Sequence, residues 1–283
     1  MTESEAEVFV TDDTVALREI LRVESLDREL FRALPVHHDG RPLFGGQIAA
    51  QCLLACGATV PEGRHPHSLH GYFLRRGDSA RPVLYRVDRD RDGRSYSARR
   101  VVALQDGEVL FSMAASFRVG VDGAELDGEP PAPMPPPEEC SPIQSGLSLE
   151  ARVDEWPNRT QFFPTRFHIR PSGELPAGDV LVHAAALTYM SDFSAGLPRL
   201  LGGEVLGPSL DHALWFHDVP KWDGWLRVDY EPGTAGGKRG WYSGAIRDEA
   251  GRRIASLAQE MVYLEDDSVT TDSVTTDSAT TVG

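Results

Sequence analysis

The chain has 283 residues and a formal net charge of −15. Nucleic-acid binding needs a basic surface for the phosphates, so this charge argues against nucleic acid as the main partner. Hydrophobic residues make up 41% of the chain, which is enough for a packed core. Its three cysteines, Cys52, Cys56 and Cys140, form no disulfide framework and indicate a reducing compartment, so we expect a cytoplasmic protein.

The sequence carries no recognisable targeting signal. Residues 1–13 are acidic and polar, so they lack the basic start and apolar run of a signal peptide. The last three residues do not form a peroxisomal or ER-retention signal. No apolar run reaches the roughly 18 residues of a spanning helix, so we expect no membrane insertion.

The first half predicts helices followed by antiparallel strands. Residues 14–34 place apolar side chains at helical spacing and predict an amphipathic helix. Residues 45–56 predict a second helix, ended by Gly57, whose small side chains would allow other elements to approach closely. Strands are predicted at 68–74, 83–89, 95–105 and 109–119, with a hairpin turn at Asp106-Gly107.

Residues 120–160 form a predicted linker, because a run of prolines at 130–137 favours an extended chain that cannot join the interior of a sheet. After it the order of elements repeats. The predictions are a strand at 162–170, an apolar helix at 180–197 with Asp179 as its N-cap, and strands at 210–217, 224–230, 240–247 and 253–264. The polar repeats of the tail, residues 267–283, predict disorder.

The two halves are also related in sequence. Residues 107–115 (GEVLFSMAA) align with 251–259 (GRRIASLAQ) at an offset of 144, and Tyr72-Phe73 aligns with Trp215-Phe216 at an offset of 143. These offsets predict an internal duplication of residues 1–119 and 161–266, in which each half forms a sheet that wraps one helix. Two unrelated α+β halves remain the alternative.

Six stretches, taken in order, resemble the acyl-CoA thioesterase II (TesB-type) family. They are LFGGQ at 43–47, HSLHGYFLRRGD at 67–78, RDGRSYSARRV at 91–101, SDF at 191–193, LDHALWFH at 210–217 and AQE at 258–260. The resemblance implies an α+β double hotdog fold, with two antiparallel sheets each wrapped around a central helix. It also implies hydrolysis of fatty acyl-CoA to a free fatty acid and CoA, with no cofactor.

The same resemblance implies three catalytic residues. Asp192 matches the catalytic Asp of the family, Ser209 its catalytic Thr or Ser, and Gln259 its catalytic Gln. Where some members have Thr, Ser209 keeps the hydroxyl and loses only a methyl group. Together the three side chains would aim a water molecule at the thioester.

These residue types suit thioester hydrolysis. A water molecule must be deprotonated as it attacks, and a carboxylate in a dry pocket is a suitable base. A hydroxyl and a carboxamide can hold that water by donating and accepting hydrogen bonds. Asp192 falls in an apolar helical run beside Thr188 and Ala195, which would leave room for a substrate. From the residues alone, a solvent-facing Asp192, a turn Ser209 and a surface Gln259 remain alternatives.

Substrate binding is expected at two places. Backbone N–H groups near the start of the first central helix, Gly46 among them, could hold the oxyanion. Arg94, Arg99 and Arg100 could bind the CoA phosphates, unless they are ordinary charged residues of a strand face. No His or Cys spacing indicates a metal site. Because residues 46–56 contain no Asp or Glu, we expect one active site per chain, shaped by both halves.

Two other functions remain open at this stage. Enoyl-CoA hydratases share the hotdog architecture and use an Asp and a His in the same helix, but no His follows Asp192 as far as Leu201. A non-catalytic acyl-CoA-binding protein would keep the pocket without the three polar side chains. Because hotdog sheets leave edges that pair between copies, we also expect a homo-oligomer.

Overall fold

The computed structural model describes residues 15–37, 40–120, 131–143, 147–154, 164–193, 205–218, 221–222 and 224–264. These ranges contain three α-helices and fourteen strands, and every strand pair is antiparallel. Within this part of the chain, each helix is too short or too polar to cross a lipid bilayer.

The first half begins with short elements and continues with four long strands. Its helices are α1 (Leu17–Ile20) and α2 (Gly45–Gly57). Its strands are β1 (Glu24–Asp27), β2 (Leu30–Ala33), β3 (Arg64–Phe73), β4 (Val83–Asp92), β5 (Tyr96–Gln105) and β6 (Glu108–Val119).

The second half has one described helix, α3 (Val180–Ser191), and a 3-10 turn at Pro137–Glu139 precedes its first strand. Its strands are β7 (Ser141–Ile143), β8 (Leu149–Val153), β9 (Arg166–Pro171), β10 (Val205–Ser209), β11 (Asp211–Phe216), β12 (Leu226–Gly236), β13 (Arg239–Arg247) and β14 (Arg253–Leu264).

The sheets of the two halves join into one continuous sheet. Its order is β1-β2-β4-β5-β6-β3-β11-β14-β13-β12-β9-β8-β7, and β10 pairs with β14 outside this path. The junction is the antiparallel pair of β3 and β11. Outward from the junction, β3-β6-β5-β4-β2 on one side matches β11-β14-β13-β12-β9 on the other. This symmetry is the arrangement expected from a duplicated half, and it confirms the predicted double hotdog.

The two long helices pack against each other on the inner face of this sheet. Small residues of α2 allow the close approach. A Cβ atom on Gly46 would lie 2.3 Å from the backbone carbonyl oxygen of Tyr189, and one on Gly57 would lie 2.4 Å from the side chain of Leu181. Both distances are far below van der Waals contact. The prediction that small side chains in this helix permit close packing is therefore confirmed.

Several predicted elements are confirmed with shifted ends. The second helix starts at Gly45 as predicted and runs one residue further at its C-terminal end. Asp179 caps α3 by accepting a hydrogen bond of 3.1 Å from the N–H of Val182. Asp106 and Gly107 adopt positive φ angles of 50° and 83°, as a two-residue hairpin between β5 and β6 requires.

Three predictions about elements differ from the structure. Residues 15–34, the described part of this segment, form only one helical turn and then the β1–β2 hairpin, because β2 gains backbone pairing with β4 that helical spacing cannot reveal. The predicted linker contains β7 and β8. They extend the edge of the sheet, where Pro142 is tolerated because one side of an edge strand is free of backbone pairing.

The third difference concerns the helix predicted at 180–197. Helix α3 ends at Ser191, and Asp192 is its C-cap residue rather than an interior one. Residues 194–197 lie outside the described part of the chain, as do residues 1–14 and the predicted tail at 267–283. The proposed division at residues 119, 160 and 266 stays a prediction.

Candidate active site

The three predicted catalytic side chains come from three different elements and converge on one point. Asp192 directly follows α3, Ser209 ends β10, and Gln259 lies in the middle of β14 with only 2% of its surface exposed. The Nε2 group of Gln259 donates a hydrogen bond of 2.9 Å to Oδ1 of Asp192 and a second to Oγ of Ser209. The hydroxyl of Ser209 also hydrogen-bonds the Asp192 carboxylate. The sequence prediction therefore selected side chains that are in mutual contact.

The first half contributes to the same point through the N-terminus of α2. The backbone N–H of Gly46 donates a hydrogen bond to the carboxylate of Asp192. A Cβ atom on the preceding residue, Gly45, would lie 2.6 Å from Oδ2 of Asp192 and 2.9 Å from the ring of Phe73. The expectation that the N–H of Gly46 holds the substrate oxyanion stays a prediction. The glycine pair at 45–46 is thus the feature that lets the helix end reach Asp192.

Burial determines the acidity of Asp192. Loss of hydration raises the pKa of this carboxyl above its ordinary value, because the charged form is the one that needs water. The charge of His212 and the hydrogen bonds from Gln259, Gly46 and Ser209 act in the opposite direction. The net result is a pKa above the usual range of an aspartate. A carboxylate with such a pKa is a stronger base than one in water.

Sequence reasoning gave no role to one residue of this cluster, His212. Its ring is 1% exposed, and its Nδ1 lies 2.6 Å from Oε1 of Gln259. Its Nε2 lies 2.7 Å from Oγ of Ser191, which is 2.8 Å from the carbonyl oxygen of Thr188. The signal was present in the stretch LDHALWFH. It could not be interpreted without the pairing of β11 with β14, because residues 212 and 259 are distant in sequence.

The first half carries no equivalent of this polar pair. Offsets of 143 and 144 align His212 with Leu69 and Gln259 with Ala115. Leu69 and Ala115 are cross-strand partners in β3 and β6, and both are buried. In α2, the amide of Gln51 is occupied by the hydroxyl of Tyr85 at 2.5 Å and by the carbonyl of Ile20 at 2.6 Å. The first half thus has an apolar pair at these positions, and the amide of Gln51 is already hydrogen-bonded within the core. Both observations agree with the expectation of one site per chain.

The arginines proposed for CoA fall into two groups. Arg99 is fully buried: its guanidinium donates to Oγ1 and the carbonyl of Thr59 at 2.8 and 3.0 Å and to the carboxylate of Asp92 at 2.8 Å. A side chain enclosed in this way cannot contact a dissolved CoA, so the expectation for Arg99 is corrected to a structural role. Arg94 is exposed, and Arg100 is exposed and ion-paired with Asp90 at 2.9 Å.

The cysteines do not offer an alternative nucleophile. All three are free and buried. Burial raises the pKa of the thiols of Cys52 and Cys56, which lie in α2, so both stay protonated at neutral pH. Among the described residues, no group of three or more His, Cys, Asp or Glu side chains is arranged to hold a metal ion.

Comparisons with known proteins agree with this fold. Residues 34–118 match the acyl-CoA thioesterase N-terminal domain, and residues 126–263 match the acyl-CoA thioesterase C-terminal domain. The chain is 32% identical to human acyl-coenzyme A thioesterase 8 over 88% of this chain and 89% of the relative. It is 31% identical to acyl-CoA thioesterase 2 of Haemophilus influenzae over 85% of this chain and 94% of that protein.

Solved structures give the same result. A crystal structure of an acyl-CoA thioesterase II from Mycobacterium marinum superposes with a TM-score of 0.74 at 32% identity, covering 89% of this chain and 98% of that one. A hot dog fold protein from Alicyclobacillus acidocaldarius superposes with a TM-score of 0.72 at 18% identity, over 88% of this chain and 97% of that chain, and supports the fold alone. The chain belongs to the acyl-CoA thioesterase II (TesB-type) family.

Proposed function

We propose that this protein hydrolyses fatty acyl-CoA thioesters to a free fatty acid and CoA, and that Asp192, Ser209 and Gln259 activate the attacking water. The observation that carries the proposal is the convergence of these three side chains beside the N-terminus of α2. Family membership adds support, because the named relatives are acyl-CoA thioesterases.

In the proposed reaction, Asp192 takes a proton from a water molecule as the water oxygen bonds to the thioester carbonyl carbon. The electron pair of the carbonyl double bond moves to its oxygen. When that pair returns, the bond from carbon to sulfur breaks, and the proton held by Asp192 passes to the departing CoA sulfur. Asp192 is suited to both transfers, because its burial keeps the pKa above the ordinary value while its hydrogen bonds keep the carboxylate accessible as a base.

Gln259 and Ser209 orient the water in this proposal. The amide N–H groups of Gln259 point toward Asp192 and Ser209. In this proposal the water inserts between the amide and the carboxylate, so that it accepts the N–H that otherwise reaches Asp192 and donates its own hydrogen to the carboxylate. Fixed orientation of this kind lowers the barrier because the reacting atoms need no further reorganisation. The N-terminal end of α2 is the proposed location of the oxyanion, since the helix dipole places positive charge there.

Substrate binding and assembly complete the proposal. The exposed Arg94 and Arg100 remain candidates for the CoA phosphates, since both present a guanidinium on the surface. The ends of the sheet at β1 and β7 are open edges of the described fold, and pairing at such edges is one route to the proposed homo-oligomer.

His212 does not favour the hydratase alternative. A hydratase needs an imidazole directed at the substrate, whereas both ring nitrogens of His212 contact protein groups, Gln259 and Ser191. His212 therefore contacts the amide of Gln259, the proposed water-positioning group, and does not face the substrate. A hydratase would be recognised by a hydrated product from an enoyl-CoA, and a binding protein by tight binding without turnover.

The test is thiol release from acyl-CoAs ranging from butyryl-CoA to stearoyl-CoA, measured for wild type and Asp192→Asn. Asp27→Asn, an exposed residue of the β1–β2 hairpin, is the matched control. We expect turnover by wild type and by the control, and a loss of about 10²-fold or more in Asp192→Asn, as for a removed general base. Equal turnover in all three proteins would exclude Asp192 as the base. No thiol release from any substrate by wild type would overturn the proposed activity.

A further inference from the structure

The amide of Gln259 has two chemically different ends, and only one orientation suits the site. Its Nε2 group donates to Asp192 and to Ser209, and its Oε1 atom faces His212. If the amide were rotated by half a turn, its oxygen would face the carboxylate of Asp192. Two acceptors would then meet without a hydrogen between them, and the site would lose the N–H groups that face Asp192 and Ser209.

The hydrogen bond to His212 distinguishes the two orientations. Nδ1 of His212 lies 2.6 Å from Oε1 of Gln259, and an amide oxygen can only accept, so the proton on this bond belongs to Nδ1. In the rotated amide, the Nδ1–H group would face an NH₂ group, and two donors would meet. The ring itself is held by its second nitrogen, which contacts Oγ of Ser191 at 2.7 Å at the end of α3.

We infer that His212 is a positioning residue, which holds the Gln259 amide in the one orientation that presents its N–H groups to Asp192 and Ser209. This inference rests on the proposed function, because Gln259 has a catalytic role only there. His212 is buried behind Gln259 and contacts neither Asp192 nor Ser209 through a hydrogen bond that the structure contains. Its contact with the catalytic groups therefore passes through the amide, and its direct influence on Asp192 is electrostatic only.

The duplicated half provides an independent argument. His212 and Gln259 are in contact between β11 and β14, next to the paired residues Ala213 and Ala258, and the duplication aligns them with Leu69 and Ala115, which pair across β3 and β6. The fold therefore packs well with an apolar pair at this place, and an imidazole is not needed there to fill the core. In the half that carries Asp192, both positions are polar instead of apolar. We therefore treat His212 and Gln259 as one hydrogen-bonded pair with a shared role.

Three substitutions of His212 separate its hydrogen bond from its volume. His212→Asn places an amide N–H near the position of Nδ1, and His212→Gln places one near the position of Nε2, because each amide nitrogen is the same number of bonds from the backbone as that ring nitrogen. His212→Leu restores the side chain of the first half and has no donor. We expect kcat to fall by about 10²-fold in His212→Leu and His212→Gln, with KM changed by less than about threefold.

His212→Asn is expected to recover at least about tenfold of the kcat lost in His212→Leu, because it returns the donor to Oε1 of Gln259. The same variants are then combined with Gln259→Ala, and the midpoint of thermal unfolding is measured for each. Without the amide, and at a pH at which Asp192 is fully ionised, His212→Leu is expected to have no further effect on kcat. A role limited to folding would lower the unfolding temperature and would reduce kcat by the same factor in both backgrounds.

The results test the positioning role of His212 and the proposed catalytic site separately. Full additivity of His212→Leu and Gln259→Ala, or equal kcat in His212→Asn and His212→Leu, would overturn the positioning role. Wild-type turnover by Gln259→Ala would overturn the proposed site itself, whatever the His212 variants do. A slow Gln259→Ala protein in which His212→Leu causes no further loss supports both.

Discussion

The backbone N–H of Gly46, in the first half of the chain, donates a hydrogen bond to the carboxylate of Asp192, in the second half. The two residues meet because α2 starts where α3 ends and the two helices are in contact. Ser209 and Gln259 then reach the same carboxylate from the second half of the sheet. Neither half contains the whole cluster, so a single half cannot carry out the proposed reaction.

This relationship predicts different effects for the two neighbouring glycines. In Gly45→Ala the new methyl group meets Oδ2 of Asp192, so we expect kcat/KM to fall by about tenfold or more through displacement of that carboxylate. In Gly46→Ala it meets the backbone carbonyl of Tyr189 at 2.3 Å, which cannot move without separating the helices. We expect that variant to lose about 1–3 kcal/mol of unfolding free energy or more.

Both glycine variants are measured by thermal unfolding and by thiol release. Gly173→Ala is the control, because nothing lies within 4 Å of a Cβ atom built at that position. A Gly46→Ala protein as stable as this control would contradict the close helix packing. A Gly45→Ala protein with unchanged kcat/KM would show that Asp192 tolerates displacement.

The raised pKa of Asp192 predicts that Asp192→Asn is more stable than wild type at neutral pH. The folded state of wild type holds a partly dehydrated negative charge at that pH, and Asn removes it. The advantage should shrink as the pH falls through the pKa of folded Asp192 toward about 3.9, the ordinary value, because the carboxyl is then protonated in both states. Thermal unfolding across this pH range checks the sign. A less stable Asp192→Asn at neutral pH, with Asp27→Asn unchanged, would contradict it.

The hydrogen bonds to Asp192 predict a shift in the pH profile. The hydroxyl of Ser209 lowers the pKa of this carboxyl, so its removal in Ser209→Ala should raise that pKa further. Because the proposed base acts only when ionised, the acid limb of kcat/KM against pH should move to higher pH. Ser209→Thr keeps the hydroxyl and should leave the limb at the wild-type position. A limb at the same pH in Ser209→Ala would indicate that another group titrates.

Local signals predicted the central parts of the fold correctly, and long-range pairing explains the failures. The start of α2 was recognisable from its small residues and Gly57, and the β5–β6 hairpin from Asp106-Gly107. Residues 14–34 have helical spacing, but the described residues of this segment form one helical turn and then β1 and β2, since β2 pairs with β4 50 to 56 residues later. That pairing leaves no trace in the periodicity of the segment itself.

The candidate site shows the same division. Asp192, Ser209 and Gln259 were selected through family stretches, and the structure places them in contact. The hydrogen bond of His212 to Gln259 could not be seen, because it depends on which residues face each other across β11 and β14. The duplication offsets contained part of this register, since they align His212 with Leu69. They did not indicate that His212 contacts Gln259, or that Leu69 pairs with Ala115.

The corrected role of Arg99 gives the last prediction. In Arg99→Met the buried carbonyl of Thr59 loses its donor, and an unsatisfied buried group costs about 1–3 kcal/mol, while the hydroxyl of Thr59 keeps its hydrogen bond to the carbonyl of Cys56. At about 2–4 °C per kcal/mol for a chain of this size, the midpoint of thermal unfolding should fall by several degrees. KM for acyl-CoA should stay near the wild-type value, because the side chain is enclosed.

Arg94→Ala, at an exposed position of the same segment, is the matched comparison and should keep the wild-type unfolding temperature. If Arg94 binds a CoA phosphate, Arg94→Ala should raise KM for acyl-CoA while the unfolding temperature stays unchanged. A higher KM in Arg99→Met without a change in thermal stability would return Arg99 to the substrate site.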